Sequence, residues 1–152
     1  MSRSRPVKLD QNASLQQQLQ VVFNVCSGDK KNSSSCYMQA ALAEGIAKSV
    51  LAKEKVTFNE AETLSQKQPN NAALRNRQEA DCNKIIAVQE QLVKLATLQL
   101  EHRSGLQNSL LITDSEQLFF GTNLRQGRLA ALQKQTMQCN EIKSENARFK
   151  KA

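Results

Sequence analysis

The sequence predicts an all-α fold, an elongated antiparallel bundle of about four helices arranged as two hairpins and joined by disulfides. Composition is the first reason: aromatic residues make up 4% of the chain and Trp is absent, whereas straight-chain residues that lose little rotamer freedom in a helix are common. The second reason is the scarcity of turn residues, with five Gly and two Pro in 152 residues. Sheets of many short strands need frequent turns, so a mainly β fold is excluded.

The first helix is predicted from Ser14 to about Cys26. Ser14 and Gln17 have the spacing of a capping box, in which each side chain binds a backbone N–H of the first turn. The apolar residues recur every three or four positions and therefore share one face. They are Leu15, Leu19, Val22 and Cys26, with Phe23 widening the face. The polar segment 27–35 follows and is predicted to be a loop.

The second helix is predicted from Cys36 to about Gln66, with a weakening apolar pattern that leaves its continuity past Val56 open. Its large apolar residues are expected to face the core, and the alanines beside them to allow close helix contact. The large residues are Met38, Leu42, Ile46, Val50 and Leu51, and the small ones are Ala40, Ala41, Ala43 and Ala47. Pro69 marks the clearest break in the chain, because the residue before a Pro is disfavoured in a helix.

The third helix is predicted over residues 72–103, and a fourth follows a short apolar turn. Two capping boxes are available to the fourth helix, Thr113 with Glu116 or Asp114 with Gln117. The apolar stripe of the third helix consists of Leu74, Cys82, Ile85, Ile86, Leu92, Val93, Ala96 and Leu100. That of the fourth runs through Leu118, Phe119, Leu124, Leu129, Leu132, Thr136, Cys139 and Ile142.

The formal charge of +7 lies mostly at the two ends of the chain. The first ten residues carry +2 and the last ten carry +3, so the body is close to neutral. We therefore predict a flexible basic N-terminal tail over 1–12, a single helical bundle domain over 13–143 and a basic C-terminal tail over 144–152. No apolar run is long enough to span a bilayer. The N-terminus lacks the apolar middle of a signal peptide, so we expect that any export signal has been removed already.

Four cysteines occupy positions that fit two hairpins. Residues level with each other in an antiparallel hairpin have numbers that average to the centre of the turn. Cys26 and Cys36 average 31, inside the polar loop, and Cys82 and Cys139 average 110.5, inside the second turn. The sequence thus predicts the disulfides Cys26–Cys36 and Cys82–Cys139, and an oxidising compartment. Buried free thiols are the alternative, and a zinc site is disfavoured because there is no Cys-x-x-Cys and only one His.

The sequence predicts no catalytic, cofactor-binding or metal-binding residues, and hence a protein that is not an enzyme. It contains no Gly-rich phosphate loop, no HExxH and no Asp-rich calcium loop. The single His102 stands between two charged residues at a predicted helix end and is expected to be solvated. Neighbouring carboxylates such as Glu60 and Glu62 point to different sides of a helix and form no acid/base pair.

A structural, assembly or protein-interaction subunit, for example of a cell-envelope complex, is the function that fits this pattern best. We expect a periplasmic or secreted location and a protein partner, with a homo-oligomer as a further option. The candidate contact residues are the apolar turn Leu110, Leu111 and Ile112 and the pair Phe119 and Phe120. Helical spacing favours a core position over an exposed one for that pair.

Two other functions fit the sequence. A helical bundle that binds or senses a small molecule would have a pocket lined by residues such as Tyr37, Phe58 and Arg125. The other is an intracellular, cytoplasmic protein whose basic tails touch nucleic acid. The tails contain one aromatic residue, Phe149, and no recognisable nucleic-acid motif, which disfavours nucleic acid as the partner.

Overall fold

Four helices make up most of the chain in the computed structural model, which describes residues 11–27, 33–106 and 112–151. They are α1 (Gln11–Cys26), α2 (Ser33–Lys67), α3 (Ala72–Glu101) and α4 (Asp114–Lys151), with a short 3₁₀ helix over Arg103–Leu106. The described residues contain no strand, and the all-α prediction is confirmed. At 1.5 Å per residue, the 38 residues of α4 extend about 57 Å and the 16 of α1 about 24 Å, so the helices are unequal.

Consecutive helices pack side by side: α1 against α2, α2 against α3, and α3 against α4. Cross-helix contacts show that α3 and α4 run in opposite directions. Arg75, near the start of α3, bonds Asn146, near the end of α4. Cys82, seven residues further along α3, is bridged to Cys139, seven residues earlier in α4. The two helices therefore form the antiparallel hairpin that the sequence predicts.

Small residues of α2 hold the first end of the bundle together. There α1, α2 and α3 meet in a cluster that we call the alanine-rich core, made of Leu15, Val22, Ala40, Ala43, Ala47, Val50, Val88, Leu92 and Leu95. Its three alanines have no exposed surface, and their spacing of three and four residues places them on one face of α2. Because their side chains are short, the neighbouring helices can approach closely, and the leucines of α3 fill the remaining space.

The prediction that the large apolar residues of α2 face the core is wrong for two of them. Met38 and Leu42 are 60% and 56% exposed. At 100° per residue, Met38 lies about 160° around the helix from Ala40, so burying the alanine exposes the methionine. Phe23 of α1, predicted to widen the apolar face, is likewise 66% exposed.

The second end of the bundle is packed around a disulfide. Here α2, α3 and α4 form what we call the bridged core, made of Phe58, Cys82, Ile85, Cys139 and Ile142. Beyond it the contact between α3 and α4 becomes polar. Asn146, only 1% exposed, accepts a hydrogen bond from Arg75 Nη1 at 2.8 Å and donates one to the Arg75 carbonyl at 3.2 Å. The Arg75 guanidinium also lies 3.4 Å from the centre of the Phe149 ring, a cation–π contact.

Helix boundaries differ from the predictions by a few residues. Because α1 already includes Gln11, Ser14 lies inside the helix and does not cap it. Helix α2 begins three residues earlier than predicted and passes Val56 without a break. Helix α3 ends at Glu101, and the next turn is 3₁₀, so the α-helix stops two residues short of the predicted end.

Two predicted helix starts are confirmed by their caps. After the break at Pro69, the Asn71 side chain accepts a hydrogen bond from the Leu74 N–H at 3.2 Å. At α4, Thr113 Oγ1 accepts from the Glu116 N–H at 3.1 Å, and Glu116 Oε1 accepts from the Thr113 N–H at 3.4 Å. This reciprocal pair is a capping box, which satisfies two backbone donors at the helix start.

The C-terminal residues do not form a tail separate from the helix. Helix α4 continues to Lys151, beyond the boundary predicted at residue 143. Buried Asn146 also lies past that boundary and ties this part of α4 to α3. The predicted N-terminal tail falls outside the described residues, apart from the first two residues of α1.

Candidate interaction surface

Both predicted disulfides are present, and each joins two neighbouring helices. Cys26 and Cys36 link α1 to α2 with Cα atoms 4.9 Å apart, and Cys82 and Cys139 link α3 to α4 at 5.8 Å. Gln135 donates from its side-chain amide toward both sulfurs of the second bridge, at 3.3 and 3.7 Å. The second bridge requires a local approach of the two helices, because axes at the usual separation of about 8–10 Å leave their Cα atoms too far apart.

Four large apolar side chains near the start of α4 are exposed and form what we call the apolar patch. They are Leu118 at 44%, Phe119 at 62%, Phe120 at 60% and Leu124 at 38% exposure. The two phenylalanine rings pack edge to face with centroids 5.6 Å apart. A core position for Phe119 and Phe120, which the helical spacing favours, is therefore wrong.

Gly121 explains why the aromatic pair faces outward. A Cβ at this position would lie 2.8 Å from Leu100 Cδ1, so the glycine lets α3 and α4 approach here without a shift of the Leu100 side chain. Gln117, four residues earlier, is also buried. The inward face of α4 is thus occupied by Gln117 and Gly121, and the large apolar residues between them turn toward solvent.

An open groove runs beside the patch, with α3 as its floor and α2 and α4 as its walls. Its first section has a volume of about 210 Å³ and is mostly apolar. Its lining includes Tyr37, Ala96, Leu100, Ile112, Phe120 and Leu124. Of the predicted apolar turn, Ile112 is therefore placed at the groove, whereas Leu110 and Leu111 lie outside the described residues.

The groove continues along the same faces of α2 and α4 in two more sections. The middle section is lined by Lys55 of α2 and Lys134 of α4, and the far section by Glu62, Glu141 and Glu145. Along α4 the following lining residues are separated by three, four or, between Leu124 and Ala131, seven positions: Phe120, Leu124, Ala131, Lys134, Gln138, Glu141, Glu145 and Phe149. Since these residues share one face of a single helix, the three sections lie in line on the same side of the bundle, and we call this line of sections the groove.

Each section of the groove contains a buried polar side chain that lacks a hydrogen-bond partner among the described residues. The unpaired atoms are both amide atoms of Gln117 in the first section, Oε1 of Gln89 in the middle section and Oγ of Ser65 in the far section. These side chains are 9%, 4% and 5% exposed. An unpaired buried polar group costs about 1–3 kcal/mol. Of the six such side-chain atoms among the described residues, four lie in the groove, and the other two are Asp81 Oδ2 and Arg128 Nε. Sequence reasoning missed them because Gln and Ser at helical spacing resemble an ordinary solvated face.

The residues predicted to line one ligand pocket lie at separate places. Tyr37 lines the first section, and Phe58 is buried beside the middle section. Arg125 is half-buried and donates from Nε to Thr97 Oγ1 at 2.8 Å. The pKa of the Tyr37 hydroxyl is raised above 10, first by partial burial and then by the negative charge of Glu44.

His102 is buried rather than solvated. It is 8% exposed, and its Nδ1 lies 3.1 Å from the Ser33 hydroxyl at the start of α2. The neighbouring Gly105 explains this position, because a Cβ there would come within 2.6 Å of the Ser33 carbonyl oxygen. The 3₁₀ helix therefore packs directly on the backbone of α2 and covers the histidine.

Neither a metal-binding cluster nor a membrane-spanning helix is found in the described ranges. No group of three or more His, Cys, Asp or Glu side chains there could hold a metal ion. No described helix has an apolar stretch of the length needed to cross a membrane.

Comparisons of the chain with protein-family models, with curated proteins and with solved structures found no match.

Proposed function

We propose that this protein is a non-enzymatic interaction or assembly subunit that binds another protein in an extracytoplasmic, oxidising compartment. The observation that carries the proposal is the apolar patch. Leu118, Phe119 and Phe120 spread over about 200° of the outer side of α4, and all three are more than two-fifths exposed. Apolar surface in water costs about 25 cal/mol per Å², and contiguous exposed apolar side chains are typical of surfaces that a partner covers.

The aromatic pair has the properties of a binding anchor. Phe side chains gain much by burial and have few rotatable bonds, so ordering them in a complex costs little entropy. The capping box at Thr113 satisfies backbone donors at the start of α4, and at Gly121 this turn packs closely on Leu100. The backbone that presents the patch is therefore formed before a partner binds, which lowers the cost of association.

The disulfides support the proposed compartment. All four cysteines of the chain are paired, and none is free. Structural disulfides persist in oxidising environments such as the periplasm or the outside of the cell and are rare where thiols are kept reduced. Trapping thiols with an alkylating reagent in intact cells tests this part, because the proposal predicts no labelling at the cysteines unless a reductant is added first.

Photo-crosslinking in cells tests the proposed surface. A benzophenone-bearing phenylalanine analogue replaces Phe119 in one variant and Asn140, an exposed residue on the second half of α4, in the control. We expect irradiation of the first variant to give an adduct of discrete mass with another protein, and the control to give none. A second substitution, Leu118→Ser, should weaken that adduct without changing the thermal stability.

Two results would contradict the proposal. Equal adducts at positions 119 and 140 would mean that the patch has no particular affinity for a partner. An adduct of twice the mass of this chain would mean that a second copy, and not another protein, covers the patch.

A further inference from the structure

The groove beside the apolar patch has the shape of a receptor for a helix. Two helices form its walls and a third its floor, which is the surface that the fourth helix of a bundle normally covers. The lining residues of α2 are Tyr37 at one end and residues between 55 and 66 at the other, so that from end to end they span 29 residue steps, or about 44 Å at the helical rise. A helix of about 25 to 30 residues would fill it.

The unpaired polar atoms indicate that the groove accepts a chain with polar groups of its own. Gln117, Gln89 and Ser65 are each more than nine-tenths buried and lie one in each section. Buried polar atoms in folded proteins are nearly always paired. Their regular placement along one groove suggests that side chains of an occupant provide the missing partners.

The charges of the groove change in a definite order. The first section is apolar around Phe120, and its charged lining residue Arg103 is paired with Asp114 at 3.0 Å. The middle section has Lys55 and Lys134, and the far section has Glu62, Glu141 and Glu145. Arg75 also borders the far section and keeps its charge beside the neutral Asn146 and Phe149, so this section has three acidic side chains and one basic side chain and remains acidic in balance. A complementary ligand is therefore apolar, then acidic, then basic along its length.

A second copy that presented the same groove would not be complementary. A two-fold dimer brings equivalent residues of an interface together at its axis. In the antiparallel arrangement the lysines of the middle section would meet their own copies, and in the parallel arrangement like charges would meet along the whole length. The charge pattern thus favours a different protein.

We propose that the groove between α2 and α4 binds an amphipathic helix of another protein, with apolar residues beside Phe120, acidic residues beside Lys55 and Lys134, and basic residues beside Glu141 and Glu145. This inference rests on the proposed function and names the chemistry of the partner. The bound helix would also cover Phe120 and Leu124, the two residues of the apolar patch that line the groove.

Selection of displayed helical peptides on the full-length oxidised protein tests the inference. The library contains cysteine-free 25-residue peptides with randomised charges on one face. The first readout is the order of charges in the selected peptides, and the second is their affinity for two variants. Gly127→Leu places a side chain between Leu124 and Ala131 and narrows the groove, whereas Gly45→Leu is the matched control on α2. At both positions an added Cβ meets open space, so the fold should tolerate either change.

We expect the selected peptides to share the order apolar, acidic, basic, and to bind Gly127→Leu at least tenfold more weakly while Gly45→Leu binds as the unchanged protein does. The double substitution Glu141→Lys with Glu145→Lys should make the selection prefer acidic residues at the far end. Removal of residues 1–10 should leave the affinity unchanged.

Three results would overturn the inference: a selection that yields no binder, binders that Gly127→Leu does not affect, or binders without the charge order. Stronger binding after removal of residues 1–10 would also overturn it, because the basic N-terminal segment would then be the occupant. If the Phe119 adduct forms but the peptides do not bind in the groove, the proposed function stands and this inference fails.

Discussion

The two ends of this bundle are stabilised by different interactions. The alanine-rich core joins α1, α2 and α3 through apolar side chains, and its α2 face is a stripe of alanines that allows close helix contact. The bridged core joins α2, α3 and α4 around a disulfide, and the inward face of α4 alternates apolar residues with buried Gln135 and Asn146. A helix whose inner face is this polar gains less from burial. We infer that α4 depends on the covalent link and on hydrogen bonds where α2 and α3 depend on apolar packing.

Loss of the second disulfide should have the largest effect on the free energy of unfolding. The bridge from Cys82 to Cys139 closes a loop of 57 residues, for which the loop-entropy model gives about 4 kcal/mol of stabilisation. Replacing both cysteines by Ala should lower the free energy of unfolding by about that amount in urea titrations. The matched pair Cys26→Ala with Cys36→Ala opens a loop of 10 residues and should cost about 3 kcal/mol. Equal losses at both ends would weaken the distinction between them.

A cavity in the alanine-rich core should have the next largest effect. Leu92 is 1% exposed, and Leu92→Ala removes buried methylene groups that α1 and α2 pack against, at a cost of about 3 kcal/mol. The control is Leu118→Ala in the apolar patch, where the side chain is 44% exposed and the cost should be below about 0.5 kcal/mol. Thermal unfolding followed by circular dichroism measures both. A Leu118 variant as unstable as the Leu92 variant would show that the patch belongs to the core.

Substitution of Asn146 should lower the stability of the fold, although the residue is polar and lies near the end of α4. Asn146→Ala leaves the buried Arg75 guanidinium and carbonyl without these bonds, which should cost about 2 kcal/mol. The control Asn140→Ala removes an exposed amide of α4 and should be nearly neutral. If the two variants unfold at the same denaturant concentration, the polar contact does not hold the end of α4.

Ionisation of Tyr37 should have the smallest effect on stability, and it should be visible only at high pH. Because its pKa is higher in the folded protein than the unperturbed value of 10, the folded state holds the proton more tightly than the unfolded state. Stability from this group is complete below pH 10 and is lost as the pH rises through the folded pKa. The Tyr37→Phe variant lacks the hydroxyl, so this part of the loss of stability at high pH should be absent from it. Stability that rises with pH in the unchanged protein relative to the variant would reverse the expected sign.

The pairing of the cysteines and the helix breaks could be predicted from the sequence, because they depend only on positions along the chain. The average of each pair of cysteine numbers locates the turn, and Pro69 and the Thr113 capping box act within a few residues. These signals do not depend on how the helices rotate about their own axes. Both disulfides and the order of the helices followed from them, whereas the all-α class followed from composition and the scarcity of turn residues.

The buried faces could not be predicted as well, because they depend on how closely helices approach. Two apolar stripes run along α2, one of alanines and one that includes Met38 and Leu42, and the pattern alone does not say which is inside. Phe119 and Phe120 have core spacing, but Gly121 and Gln117 take the inner positions. The middle and far sections of the groove have a signal in the sequence, the repeat of polar residues every three or four positions on both α2 and α4, which sequence reasoning assigns to solvent.

Hydrogen exchange of the protein without its second disulfide tests the contrast between the two ends most directly. In the Cys82→Ala, Cys139→Ala variant, amides of α4 from residue 130 onward should exchange much faster than in the unchanged protein. Amides of α3 over residues 88–96, which pack in the alanine-rich core, should keep most of their protection. Loss of protection to the same extent in both segments would contradict the account, because the two ends would then unfold as one unit held by the same interactions.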